Sequence, residues 1–341
     1  MNEILKYTRA KKQKKIFLTL ALLSFIFLLM IMYLMIGQTS YSFNTVIRAL
    51  FGEMIPQASF AIQVIRWPRL LLGILCGFAF GISGHVFQKM LGNPLASPDI
   101  IGISAGASVA AVFCILILHL SGQIVSLFAI IGGLLTSTIV YLLAKDSSNV
   151  HQKIILIGLG MQAFLNAIVS YLLLNGAQYD VASAMRWLSG SLNNASIDTV
   201  FRILPIIVGC TIVLLIFYRH LHIIELGEQI ATTLGLNVTV SRIIIFVLAL
   251  ILIAAATSAT GPIASVSFLA GPISQKIMKD SQANLIQAGL VGVILVLLGD
   301  FVAQNFLPAR YPVGVVTGLL GAPYLLYMLF GMNKKEKITN G

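Results

Sequence analysis

The sequence predicts an all-α polytopic membrane protein with about ten transmembrane helices, and three observations carry that prediction. Hydrophobic residues fill 58% of the 341 positions and charged residues 10%, with a mean hydropathy of +0.96, a balance soluble domains do not have. Apolar runs long enough to cross the hydrocarbon core, about 20 residues in a helix, recur between short polar breaks. The Lys and Arg residues concentrate in alternate breaks, as the positive-inside rule requires.

A basic segment, 1–15, precedes the first span, 16–36, which is too long for a signal-peptide core and lacks a small-x-small cleavage site, so it reads as a retained helix. The second span, 68–90, starts behind Arg66-Trp67-Pro68-Arg69 and stops at Gly92-Asn93-Pro94. The third, 100–118, is short and rich in Gly and Ser. Spans 124–144 and 153–174 follow, joined by a polar link, and 199–218 is the sixth. The segment 219–241 is too polar to cross. Span 242–259 then ends at Gly261-Pro262, and 263–278 is again short and broken. Spans 284–305 and 312–331 complete a single permease-like domain, 16–331, with a basic tail at 332–341. Cys76, Cys114 and Cys210 fall inside apolar runs and imply neither a disulfide framework nor a thiolate metal site.

An even span count puts both termini on one side, and charge bias makes that side cytoplasmic: sixteen basic residues lie inside and six outside. The net charge of +11 is therefore an insertion signal and an attraction to anionic lipid, and no nucleic-acid partner is implied. The six external cations, Arg48, Arg66, Arg69, Arg186, Arg202 and Arg310, are all arginine. Arginine pairs bidentately with carboxylates, which suits docking of an acidic partner; it equally suits headgroup snorkelling.

Two breaks resemble each other. "GNPLASPDIIGISAG" (92–106) and "SATGPIASVSFLAGP" (258–272) each separate a long span from a short one, and each long span carries an arginine at its start, Arg69 or Arg242. The first long span enters from outside and the second from inside, so the copies form an inverted repeat, and Asn93, Pro94, Pro98, Gly102, Gly106, Gly261 and Pro262 read as its architecture.

Four ordered stretches resemble the permeases of iron-siderophore, haem and cobalamin ABC importers, the FecCD type. They are "RWPRLLLGILCGFAFGISGHVFQKMLGNPLASPDIIGISAGA" (66–107), "RWLSGSL" (186–192), "LGEQIATTLGLNV" (226–238) and "YPVGVVTGLLGAPYLLYML" (311–329). The resemblance implies an inverted-repeat ABC importer permease like that of the vitamin B12 importer. Its partners would be a second permease subunit, two cytoplasmic ATPase subunits and an extracytoplasmic substrate-binding protein. No cofactor would be bound by this chain, since ATP and Mg would sit on the ATPase.

The segment around Leu226, Gly227, Glu228, Ile230, Ala231, Leu234 and Gly235 has acids at its start, a glycine stop, and Ile230, Ala231 and Leu234 on one helical face. Such a short amphipathic helix fits a groove on a soluble partner, and the resemblance makes it the ATPase coupling element. Arg66 and Arg69 match the family's docking arginines for the binding protein. Where the family has a third arginine this chain has Gln304, and Arg310 stands six residues on. Ser147, Ser148 and Asn149 fall where the family places a cytoplasmic gate. Gly271-Pro272 replaces the family's Pro-His, which points toward a ferric siderophore as cargo, with haem or cobalamin the alternative. His85 stands where family members carry a small residue and reads either as a pathway-facing group or as a neutral histidine bonded to the next helix.

No G-x-x-x-x-G-K-[ST] loop occurs, so energy comes from another polypeptide or from an ion gradient. The rival reading, an ion-coupled secondary transporter, needs carboxylates near the midplane; only Asp300 lies inside an apolar run, near its outer end. Five scattered histidines and no paired intramembrane carboxylates give neither a metal centre nor an acid/base pair, so the chain is not expected to be an enzyme.

Overall fold

The computed structural model describes residues 2–94, 96–145, 150–193, 195–278 and 285–339. Among them are thirteen α-helices and no strand. In chain order they are α1 (Asn2–Met35), α2 (Phe43–Leu50), α3 (Trp67–Met90), α4 (Ile103–Leu116), α5 (Gln123–Ala144), α6 (Val150–Asn175) and α7 (Gln178–Leu188). Then come α8 (Ile197–Glu225), α9 (Glu228–Thr233), α10 (Val238–Thr260), α11 (Val266–Met278), α12 (Leu285–Asn305) and α13 (Val313–Thr339).

Each of the ten expected spans falls on a helix. Seven helices are long and apolar enough to cross a membrane, while α4, α11 and the apolar part of α13 are shorter. Three elements were not legible as such: α2, α7, and a π-helical stretch Phe60–Arg66 that runs straight into α3. The second span therefore begins at Phe60, because the wide π turn accommodates Pro68, which has no N–H to continue an α ladder.

Helices α3 and α12 are the centre. Of their apolar windows 78% and 72% are inside the molecule, against 22% in α1 and 17% in α6, so the latter give their faces to lipid or to another subunit. Around them α3–break–α4 and α10–break–α11 run in opposite directions, as an inverted repeat requires. Their partners correspond: α3 packs on α12 as α10 packs on α5, and α4 on α5 as α11 on α12. Thr19 Oγ1 of α1 accepts from Gln287 Nε2 at the start of α12 (2.9 Å), whereas Tyr33 reaches Asp300 near its end. α1 therefore starts, and α13 ends, at the same end of the molecule as α9.

Backbone contact between helices is closest at Gly84 of α3, where a Cβ would lie 1.7 Å from the carbonyl oxygen of Ser267 in α11. Since that neighbour is main chain, it cannot step aside without moving a helix. Gly84→Ala is expected to cost about 1–3 kcal/mol as an overpacked site, read as a lower unfolding midpoint in detergent. Gly160→Ala in α6, with nothing within 4 Å, is the matched control and should not lower it.

Candidate functional site

The two breaks are built by backbone rules. After α3, Asn93 N donates to Gln88 O (3.1 Å) and Asn93 O accepts from Ala96 N (3.0 Å), closing the turn that holds Pro94. Pro98 opens a 3-10 turn, Pro98–Ile101, whose start is capped by Ser97 Oγ accepting from Asp99 N (3.2 Å). Gly102 ends it in the left-handed region (φ 81°), and Gly106 in the first turn of α4 lies directly on Thr136 of α5.

The second break is a node where three distant motifs meet. Ser191 N donates to Thr260 O (2.7 Å), and Gly314 N donates to Gly190 O (3.1 Å). A Cβ on Gly190 would sit 2.3 Å from Pro262 O, and one on Gly261 2.1 Å from Trp187 O, so "RWLSGSL", Gly261-Pro262 and the start of "PVGVV" interlock through backbone atoms.

Arg66, Arg69 and Arg310 are brought together on the rim of one open depression of about 170 Å³, with Gln304 between them. Their surroundings differ. Arg66 Nη1 donates to Leu34 O and Nη2 to Thr39 O, both at 2.6 Å, with Tyr41 beneath the guanidinium at 5.0 Å. It thereby caps one C-terminal carbonyl of α1, that of Leu34, and ties the helix end to the segment that follows it. Arg69 donates from Nε and Nη2 to the two Asp300 oxygens, at 2.8 and 2.7 Å, and from Nη1 to Asn193 Oδ1 at 2.7 Å. Asp300 is fully buried, and the Tyr33 hydroxyl donates to it as well. Sequence reasoning missed this partner; the available signal was an aspartate and an arginine each near the same end of its own apolar run.

Of the six arginines expected outside, five are occupied within the chain: Arg48 with Glu53, Arg66 and Arg69 as above, Arg186 with Ser183, and Arg202 with Asp198 O and Thr199. Arg310 is exposed and makes no ion pair or hydrogen bond with any described residue.

At the other end of α3, a rise of about 36 Å for its 24 residues, stands α9. Ile230 and Leu234 are 50% and 64% exposed, one helical turn apart on α9 and its C-cap, ahead of Gly235 with a left-handed φ of 81°, and Leu226, 61% exposed, lies in the link before the helix. Ala231 is fully buried against its own chain, which corrects the expected face: Ala231 belongs to the packing of α9, and Ile230 and Leu234 are left as its exposed apolar residues. Glu228 opens the helix after Gly227 (φ 112°) and pairs with Arg242 of α10 at 3.2 Å.

His85 is fully buried in α3, and a Cβ on Gly271 of α11 would approach its Nδ1 to 3.3 Å and Gln88 Oε1 to 1.9 Å. Gln88 on α3 thus occupies the space that a larger residue at 271 would need, with His85 beside it. His85 is enclosed within the chain. The gate candidates Ser147, Ser148 and Asn149 lie outside the described residues. No group of His, Cys, Asp and Glu able to hold a metal ion occurs among the described residues.

A membrane chain of two antiparallel long-helix, break, short-helix units around a buried centre is the architecture of an ABC importer permease, a transport subunit that is not itself an enzyme. The chain belongs to the FecCD transport family, whose model matches residues 23–331. It is 34% identical to the ferric enterobactin transport system permease protein FepG of Escherichia coli, over 88% of this chain and 91% of that one. It is 33% identical to the iron(3+)-hydroxamate import system permease protein FhuG of Bacillus subtilis, over 84% and 88%. The cobalamin import system permease protein BtuC of Halobacterium salinarum is 32% identical, over 80% and 74%. Among solved structures, one titled as an ABC transporter of metal-chelate type in an inward-facing conformation superposes with a TM-score of 0.80 at 25% identity, covering 92% of this chain and 98% of that one.

Proposed function

We propose that this chain is the permease subunit of an importer that carries a ferric siderophore across the membrane toward the end bearing α9, which is the cytoplasmic end together with both termini. A binding protein delivers the chelate to the depression around Arg66, Arg69 and Arg310, and a separate ATPase docks on α9. The observation that carries this reading is the division of the molecule: a cationic rim at one end of α3 and exposed apolar residues, Ile230 and Leu234 with Leu226 in the link before them, at the other. The positive-inside count supports the orientation, since the end bearing α9 also carries the basic N-terminal segment. Gly271-Pro272 and the iron-chelate relatives support a ferric cargo. The cobalamin relative keeps cobalamin as the second reading.

In this reading Arg69 does not reach for the binding protein; Asp300 holds it as part of the rim, and Arg310 offers the unengaged guanidinium. The test is affinity purification of the tagged chain from its own membranes, followed by uptake of radio-iron given as ferric enterobactin, a ferric hydroxamate or ferric citrate, beside labelled cobalamin. Co-purification of an ATPase and chain-dependent uptake of a ferric chelate are expected. Uptake of cobalamin alone transfers the assignment to the second reading, and uptake without any ATPase overturns the importer. Arg310→Glu should weaken binding-protein capture at low salt more than at high, because charges more than a Debye length apart, about 10 Å at 0.1 M, are screened. Capture that is unchanged and salt-independent removes Arg310 from the contact.

A further inference from the structure

Movement of α9 has to reach the centre of the molecule to be useful, and α9 packs chiefly on α8 and α10, not on α3. The only residues between it and α8 are Leu226 and Gly227. Glu225, the last residue of α8, meets Lys89 in the last turn of α3 at 3.1 Å, and its other carboxylate oxygen faces His222 Nδ1 at 3.6 Å. Both side chains of the Lys89–Glu225 pair are shielded, at 15% and 25% exposure, so the pair is less screened and better held than one on an open surface. Lys89 also stands immediately before the Gly92-Asn93-Pro94 break, on the helix that packs against α8, α10, α11 and α12. The pair therefore joins the end of α8, from which α9 hangs by two residues, to the central helix.

We propose that Glu225, through its ion pair with Lys89, is a positioning residue that ties α9 to α3, so that displacement of α9 by its ATPase moves the central helix with it. The Arg242–Glu228 pair does the same toward α10, and the two pairs together hold α9 from both sides. This rests on the permease reading above.

The test measures the distance between α9 and α3 directly. Spin labels are placed at Thr233 and Met90 in a variant with Cys76, Cys114 and Cys210 replaced by alanine, and the full chain is studied in lipid nanodiscs, alone and with its co-purified ATPase. In the parent the Thr233–Met90 distribution should be narrow and should stay in place when ATP is added. Glu225→Gln should broaden it and make it shift with ATP, while the ATPase remains bound. The swapped pair, Lys89→Glu with Glu225→Lys, should restore the narrow, ATP-insensitive distribution. A Glu225→Gln distribution identical to the parent in every condition overturns the inference. So does one that broadens without any ATP-dependent shift, because that is a structural role only. If no ATPase accompanies the parent, the permease reading fails separately, and on the chain alone a Glu225→Gln distribution identical to the parent still overturns the inference.

Discussion

Asp300→Ala is expected to destabilise the folded chain by about 3–5 kcal/mol, the cost of leaving a buried charge without its counter-ion. The carboxylate is fully buried and accepts from two residues on separate elements, Tyr33 on α1 and the fork of Arg69 on α3, and Arg69 in turn donates to Asn193 Oδ1 in the linker before α8. Removing it strands the Arg69 guanidinium, whose side chain is only 13% exposed, together with the Tyr33 hydroxyl. Unfolding of the detergent-solubilised protein by denaturant measures the loss. Arg69→Met combined with Asp300→Leu should recover most of it, because two apolar side chains of similar volume leave no uncompensated charge. A loss below about 1 kcal/mol, the ordinary worth of an exposed pair, would mean that Arg69 turns out to solvent and that the network does not fasten α1 to the centre.

Replacing Ile230 and Leu234 together by arginine is expected to abolish co-purification of the ATPase while the chain still inserts and keeps its stability. Both side chains are at least half exposed, so the substitution leaves the interior of the chain alone and removes the apolar pair a soluble groove would cover. Ala231→Arg is a different experiment: it forces a charge into a fully buried position and should lower stability first. Normal ATPase recovery with the Ile230/Leu234 double variant would transfer the docking site elsewhere.

Hydropathy was enough to find the spans because a lipid environment forces apolar length onto each of them. It was not enough for α2 and α7, which are short and only partly apolar, nor for the entry to α3, where a π turn lets a helix pass through Pro68. The motif residues were legible as a pattern but not as a mechanism. Nothing in "RWLSGSL" says that Gly190 is a glycine because Pro262 O lies where its Cβ would be. Nor does His85 announce that Gly271 makes room for the side chains around it; the two positions sit on α3 and α11, 186 residues apart in sequence, and come together only when those helices meet.

The sequence by itself determined that the chain crosses the membrane many times, where its helices break and which family it resembles. These are local properties, set by transfer energies and backbone restrictions acting on consecutive residues. The tertiary structure decided which arginines are engaged and which, among the described residues, has no partner, that Ala231 faces inward, and that Asp300 is the anchor of the cationic rim. Those outcomes depend on which side chains from distant helices come within hydrogen-bond reach, and burial makes each unsatisfied charge costly enough that such pairings become obligatory.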